Sequence, residues 1–285
     1  MIPLKDNIPT DRFPLITVLV IAINVAVFLF FESPSFSGEQ VDTKTVVEYG
    51  AIPYRVTHLG KDCDLARKQT PVAITPDGRQ LVAEQEQLVC EGTPEFRQAQ
   101  AQNELIQTDD APLLVTLFSS MFMHGGWLHI IFNMLFLWIF GNNIEDSMGR
   151  VRFVLFYLLG GLAALFAQVA VSPDAQVPTV GASGAIAAVL GGYMLLYPRA
   201  RVLTVIFIFF FFTFVEIPAL IMLGIWILLQ FLPAIGQLAT PEIGGEGGGV
   251  AYFAHIGGFL FGLALIHLFA RRKSEQYGQP RYPVY

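Results

Sequence analysis

Charge is scarce in this chain. Only 14% of its 285 residues are Asp, Glu, Lys or Arg, while 54% are hydrophobic and the mean hydropathy is +0.55. An average soluble domain carries roughly 25% charged residues. The shortfall excludes an ordinary soluble domain and indicates a chain that crosses a membrane several times. The net charge of -6 is concentrated between Glu32 and Asp110, and no basic patch exists beyond short clusters at the ends of apolar runs. Nucleic acid is therefore not an expected partner. Internal repeats and low-complexity tracts are missing. No cleavable signal peptide is expected: residues 1–13 are largely polar, and the apolar run after them is longer than the 7–15 residues or so of a signal core. A His-Glu-x-x-His motif is absent, as is a pair of aspartates within the apolar runs. No metal or cofactor is expected.

The apolar runs are Pro14–Phe31, Trp127–Gly141 (preceded by Leu113–Met123), Phe153–Val171, Ser183–Tyr197, Val202–Leu232 and Ala251–Ala270. A spanning helix needs about 20 apolar residues. The fifth run is too long for one span and is broken by Glu216 and Pro218. The charge bias of short loops, with Lys and Arg on the cytoplasmic side, divides it. Lys5 and Arg12, Arg150 and Arg152, Arg199 and Arg201, and Arg271–Lys273 fall on one side if there are six spans. The loops 172–182 and 233–250 have no Lys or Arg. The expected fold is an all-α membrane protein of six transmembrane helices with both termini cytoplasmic. Its parts are a cytoplasmic N-terminus (1–13), the first span (14–31), a large outer loop (32–112), a core with spans two to six (113–270) and a cytoplasmic tail (271–285). The fifth span is placed at Ile217–Leu232. The segment Val202–Val215 is read as membrane-associated on the inner side, without an assigned conformation. Cys63 and Cys90 share the outer loop, in an oxidising compartment, so a disulfide is expected; two unpaired thiols are the alternative. The bilayer expected is a bacterial-type plasma membrane, with an organelle membrane as the alternative.

Polar groups inside a bilayer are costly and mark function. The spans hold Asn24, His129, Asn133, Ser183, His255 and His267, with His124 just ahead of the second. The six-span topology puts Ser183, His255, His129 and Asn133 at a similar depth below the outer surface. Two series of small residues run along span four: Ser183, Ala187 and Gly191, and Gly184, Ala188 and Gly192. Span six has Ala254, Gly258 and Gly262. Small residues at every fourth position let membrane helices meet backbone to backbone. If these stripes meet, His255 comes within reach of Ser183 and can act as the base that activates it. Asn133, His129 and the Ser183 amide, at a helix start, can donate to an oxyanion. No acid lies at this depth, so a dyad is expected rather than a triad. His124 and His129 lack a third ligand for a metal.

Three stretches carry a resemblance: "HGGWLHIIFNMLFLWIFGNNIED" (124–146), "GASGAIAAVLGGY" (181–193) and "AHIGGFLFG" (254–262). Together, and in this order, they resemble the rhomboid intramembrane serine proteases, over the membrane core from Pro14 to about Ala270. The resemblance implies a six-helix core around a water-accessible cavity open to the outside. It implies Ser183 as nucleophile and His255 as general base, with His129, Asn133 and the Ser183 amide at the oxyanion. Gly181 and Gly184 belong to its Gly-x-Ser-Gly motif. Glu145 matches a structural acid at the inner end of span two, and His124 a histidine near the site's rim. Gly258 and Gly262 pack span six on span four. The chain departs from the family's pattern in its longer outer loop, which lacks a Trp-Arg pair, in the Phe-rich 202–215 segment and in the 233–250 loop. The function expected is an intramembrane serine endopeptidase acting on transmembrane protein substrates in the lipid bilayer. A catalytically dead relative that binds membrane proteins is the alternative. It is disfavoured because the serine and histidine are both present. A transporter is more distant still.

Overall fold

In the computed structural model, the described residues are 1–32, 42–74, 80–109, 111–208, 211–239 and 250–271. The tail after Arg271 and residues 240–249 of the Gly-rich loop lie outside them. The elements run in the order β1 (Ile2–Asp6), α1 (Leu15–Ala26), α2 (Thr43–Tyr49), α3 (Pro53–Thr57), β2 (Cys63–Ile74), β3 (Gln80–Cys90), α4 (Pro94–Gln102) and β4 (Leu105–Ile106). They continue with α5 (Leu113–Ser119), α6 (Trp127–Phe136), α7 (Asn142–Met148), α8 (Arg150–Val171), α9 (Ser183–Leu196), β5 (Arg201–Ile208), β6 (Phe211–Pro218), α10 (Ala219–Ala239) and α11 (Tyr252–Phe269). A π-helical turn extends α1 to Phe31, and another joins α6 to α7.

Among the described residues, four helical stretches are long and apolar enough to cross a membrane: Trp127–Met148, Arg150–Val171, Ala219–Gly236 and Tyr252–Phe269. Two further expected spans, Leu15–Phe31 and Ser183–Leu196, are shorter apolar helices. The brevity of α9 has a consequence. Its 14 residues reach about 21 Å at ~1.5 Å per residue, short of a ~30 Å hydrocarbon core. Every residue from Gly184 to Tyr193 is buried. Buried among the other helices, α9 need not match the thickness of the bilayer.

The helices around α9 approach it through small residues. A methyl group added at Gly258 would collide with the Gly184 carbonyl, one at Gly262 with the Ala188 carbonyl, and one at Gly191 with the Phe259 carbonyl. On the other side, a methyl at Gly184 would sit 2.6 Å from the Ala164 side chain of α8. The stripes of α9 and α11 thus face each other with no room for a side chain between them.

The expectation of an all-α chain is corrected. Among the described residues there are two three-stranded sheets, ordered β1-β5-β6 and β3-β2-β4, with antiparallel pairing throughout. The first takes in residues 202–208 and 211–215 of the Phe-rich segment. Its residues, "VLTVIFI" and "FFTFVEI", are mostly β-branched and aromatic, which suits a pleated surface better than a helix. Pairing Arg201 with Pro218 also brings Arg201 to Glu216 at 3.3 Å. Strand β6 runs through Ile217 and Pro218, so the fifth helix begins at Ala219 rather than Ile217 and continues beyond Leu232. The aromatic side chains of Phe207, Phe211, Phe212 and Phe214 are exposed.

The second sheet lies in the 32–112 segment, the one expected to form an outer loop. Cys63 and Cys90 stand opposite each other in the β2–β3 register and form a disulfide. This region is docked on the loop that leads into Ser183. Tyr54 donates its backbone N–H to the Ala175 carbonyl, Ala51 and Thr179 exchange backbone hydrogen bonds, and the Cys90 N–H donates to the Gln176 side chain.

At the opposite end, the Asp6 carboxylate accepts from the Tyr193 hydroxyl of α9 and from the Asn143 amide. Two predictions follow from this packing. Gly262→Ala should destabilise the protein by about 1–3 kcal/mol, because its methyl must push two backbones apart. Thermal unfolding in detergent checks this, and an unchanged midpoint would refute the contact. Burial raises the Asp6 carboxyl from its ordinary value of 3.8 to about 6, against the opposing Tyr193 hydrogen bond. Folding therefore favours the protonated acid. Its contribution is complete below about pH 4 and is lost as pH rises through about 6. Asp6→Asn should flatten the fall in unfolding temperature across that window.

Candidate active site

Ser183 is the first residue of α9. The turn before it needs a glycine: Gly181 has φ +125°, and a Cβ there would lie 2.8 Å from the His129 ring. The Gly181 N–H donates to the Ser120 carbonyl at 2.8 Å, which ties the turn to the end of α5. The Ser183 amide, in the first turn, has no acceptor within its own helix.

His255, in the first turn of α11, is largely buried. Its Nε2 lies 2.8 Å from the Ser183 hydroxyl oxygen. Its Nδ1 lies 2.9 Å from the side-chain oxygen of Gln230, on α10. The ring is flanked by Trp226 at 5.8 Å and by Tyr252, edge-on, at 6.5 Å. Gln230 is absent from the residues singled out by sequence reasoning. The signal was available: Gln230 is the one amide side chain within the apolar stretch Ala219–Gly236, polar where polarity is costly.

His129 accepts a hydrogen bond at Nδ1 from the Gly125 N–H, 3.3 Å away. A ring nitrogen that accepts carries no proton, so the neutral ring carries it on Nε2, the atom beside Gly181. Asn133 is one turn further along and donates one amide proton to the His129 carbonyl at 3.0 Å. Its second amide proton remains available for another acceptor. Ser183, His255, His129 and Asn133 all line one cavity of about 780 Å³. The disulfide-bonded outer region forms part of its wall through Leu65, Glu86 and Leu88.

Two of the other sequence-derived residues are placed as follows. His124 is fully buried, so it does not stand at an open rim. It packs edge-on against His129 at 5.1 Å, and its backbone N–H donates to the buried Glu32 carboxylate. Glu145 is buried beneath the start of α1. It accepts from the Ile16 N–H at 3.0 Å, from the Thr17 N–H at 2.8 Å and from the Thr17 hydroxyl at 2.8 Å. A carboxylate at unpaired first-turn amides also meets the positive end of the helix dipole. No cluster of three or more potential metal-ligating His, Cys, Asp or Glu side chains occurs among the described residues.

Residues 112–272, more than half of the chain, match the Rhomboid domain family model. The chain belongs to the rhomboid family. It is 28% identical over 163 residues to Rhomboid protein 1, mitochondrial, of Saccharomyces cerevisiae, a match that covers 56% of this chain and 43% of that one. It is 30% identical over 168 residues to Presenilin-associated rhomboid-like protein A, mitochondrial, of Danio rerio, covering 55% and 38%. To Rhomboid protease GluP of Bacillus subtilis it is 38% identical over 78 residues, covering 27% and 15%. The matched region thus spans less than half the length of each of these relatives. The expectation of a bacterial plasma membrane is overturned here, because the yeast and Danio relatives are mitochondrial by name and point to a mitochondrial membrane. Hydropathy and charge bias report how a chain sits in a bilayer, not which bilayer it is.

The Glu145 contacts carry one prediction for this rhomboid chain. Glu145→Ala leaves two N–H groups and a hydroxyl without their acceptor and should cost about 1–3 kcal/mol. Glu145→Gln keeps one acceptor oxygen and should cost less in the same unfolding assay.

Proposed function

We propose that this chain is an intramembrane serine endopeptidase, which hydrolyses peptide bonds in or near the transmembrane segments of other membrane proteins. The observation that carries the reading is the 2.8 Å approach of His255 Nε2 to the Ser183 hydroxyl on the wall of a large cavity. The chain's membership of a family that includes a protease by name adds to it.

In this reading the Ser183 oxygen attacks the scissile carbonyl carbon, and its proton passes to His255 Nε2. The carbonyl oxygen becomes an oxyanion. It accepts hydrogen bonds from the Ser183 backbone N–H, from His129 Nε2–H and from the free Asn133 amide proton. Preorganised donors of this kind are worth most in a site shielded from bulk water. Collapse of the intermediate breaks the C–N bond, and the imidazolium gives its proton to the leaving amine. Water then attacks the acyl-serine, His255 takes a proton from that water, and the serine is regenerated. The substrate must enter as an extended strand to reach Ser183, so its cleavage region should hold small residues and helix-destabilising neighbours.

The proposed topology has six spans, with α1 and α9 as the two short ones, and both termini on the face away from the cavity mouth. Segment 14–31 forms the first span, 32–112 the outer region and 113–270 the core that holds the site. Residues 1–13 and 271–285 lie on the opposite face. A mitochondrial membrane is the proposed location.

The test is labelling with a fluorophosphonate probe, followed by cleavage of a model transmembrane substrate. Wild type should label and cleave, while Ser183→Ala and His255→Ala should do neither and stay folded. Asn133→Ala should slow cleavage by about 10²–10³-fold, as removal of one oxyanion donor does. Cleavage by the Ser183→Ala protein at the wild-type rate would overturn the reading. A wild type that captures membrane proteins without cutting them would leave a binding role in its place.

A further inference from the structure

A histidine can remove the Ser183 proton only if the nitrogen facing it has a free lone pair. A neutral histidine side chain free in water prefers its proton on Nε2, which is the wrong tautomer for this geometry: Nε2 faces Ser183. Something must hold the proton on Nδ1. In many hydrolases a carboxylate does this. Here the atom 2.9 Å from Nδ1 is the side-chain oxygen of Gln230.

The orientation of that amide is decided by its other end. Gln230 Nε2 donates to the Trp226 carbonyl, one turn earlier on α10, at 3.2 Å. A carbonyl can only accept, so the amide nitrogen must face it. Turning the amide over would set an oxygen against an oxygen. The Gln230 oxygen is therefore fixed towards His255, and an oxygen only accepts. The proton between them belongs to His255 Nδ1, which leaves the Nε2 lone pair for Ser183.

We propose that Gln230 is a positioning residue that selects the reactive tautomer of His255 and holds its ring in line with Ser183. The inference rests on the endopeptidase reading. It adds a third member to the pair, carried on a different helix from either. Donation runs one way, from the Ser183 hydroxyl to His255, from His255 to Gln230 and from Gln230 to the Trp226 carbonyl. When His255 takes the serine proton, its Nδ1–H still donates to the same oxygen, so the ring need not move during the reaction. A neutral amide lacks the charge with which a carboxylate stabilises imidazolium, so Gln230 orients the base without making it stronger.

The test combines a direct readout with kinetics. In protein labelled with ¹⁵N-histidine, the imidazole nitrogen shifts of His255, assigned by difference from His255→Ala, report which nitrogen bears the proton. Wild type should show Nδ1–H, and Gln230→Leu should lose it in favour of Nε2–H. Nε2–H in wild type, or the same tautomer in both proteins, would overturn the proposal whether or not the protein is a protease. In proteoliposomes with a transmembrane substrate, Gln230→Leu should lower kcat roughly 10²-fold and leave KM unchanged. Gln230→Glu should recover part of kcat and move the acid limb of the kcat–pH profile upward, because a carboxylate favours the imidazolium. Wild-type kcat in Gln230→Leu would overturn the proposal while leaving the endopeptidase reading intact. Ser183→Ala, run alongside, isolates failure of that reading.

Discussion

The contact between α9 and α11 is the constraint on which the rest of the molecule depends. Gly258, Gly262 and Gly191 leave no room for even a methyl group between the two backbones. Membrane helices have little hydrophobic reason to associate, and close backbone approach supplies dispersion contacts instead. Ser183 and His255 lie in the N-terminal turns of these helices. Their 2.8 Å separation is therefore set by the packing of glycines below them, and a change several turns away moves the pair.

The shortness of α9 follows from the same arrangement. Because α8 and α11 enclose it, α9 needs no lipid-facing surface and no full bilayer length. The cavity is the space left above its first residue. The loop 172–182 fills part of that space and is clamped by the disulfide-bonded outer region, through the Ala51–Thr179 bridge and the Gln176 contact. The outer region therefore bears on the position of Ser183 as well as on the wall of the cavity. Below, Glu145 ties the start of α1 to α7, and Asp6 ties β1 to α9. The polar contacts sit at the helix ends and the glycine contacts in the middle.

Much of this could be read from the chain because period and chemistry coincide. Ser183, His255, His129 and Asn133 stand out as polar atoms in apolar runs, and the four-residue spacing of small side chains identifies the faces that meet. Three features were hidden for identifiable reasons. The 202–218 hairpin reads as apolar sequence of spanning length, and hydropathy alone does not separate strand from helix. The contact between the His124 backbone and Glu32 joins residues far apart in sequence. Gln230 was visible as a polar residue, but nothing local pointed it at His255.

The sequence by itself determined which groups could do chemistry and how deep along their helices they stand, since a residue's depth follows from its place in an apolar run. It also determined the family, through motifs whose order is local information. Only the tertiary structure decided the tautomer of His255, the strand pairing of the Phe-rich segment and the docking of the outer region on the loop before Ser183. Each of those depends on atoms brought together across long stretches of chain, by distances and directions that no period in the sequence encodes.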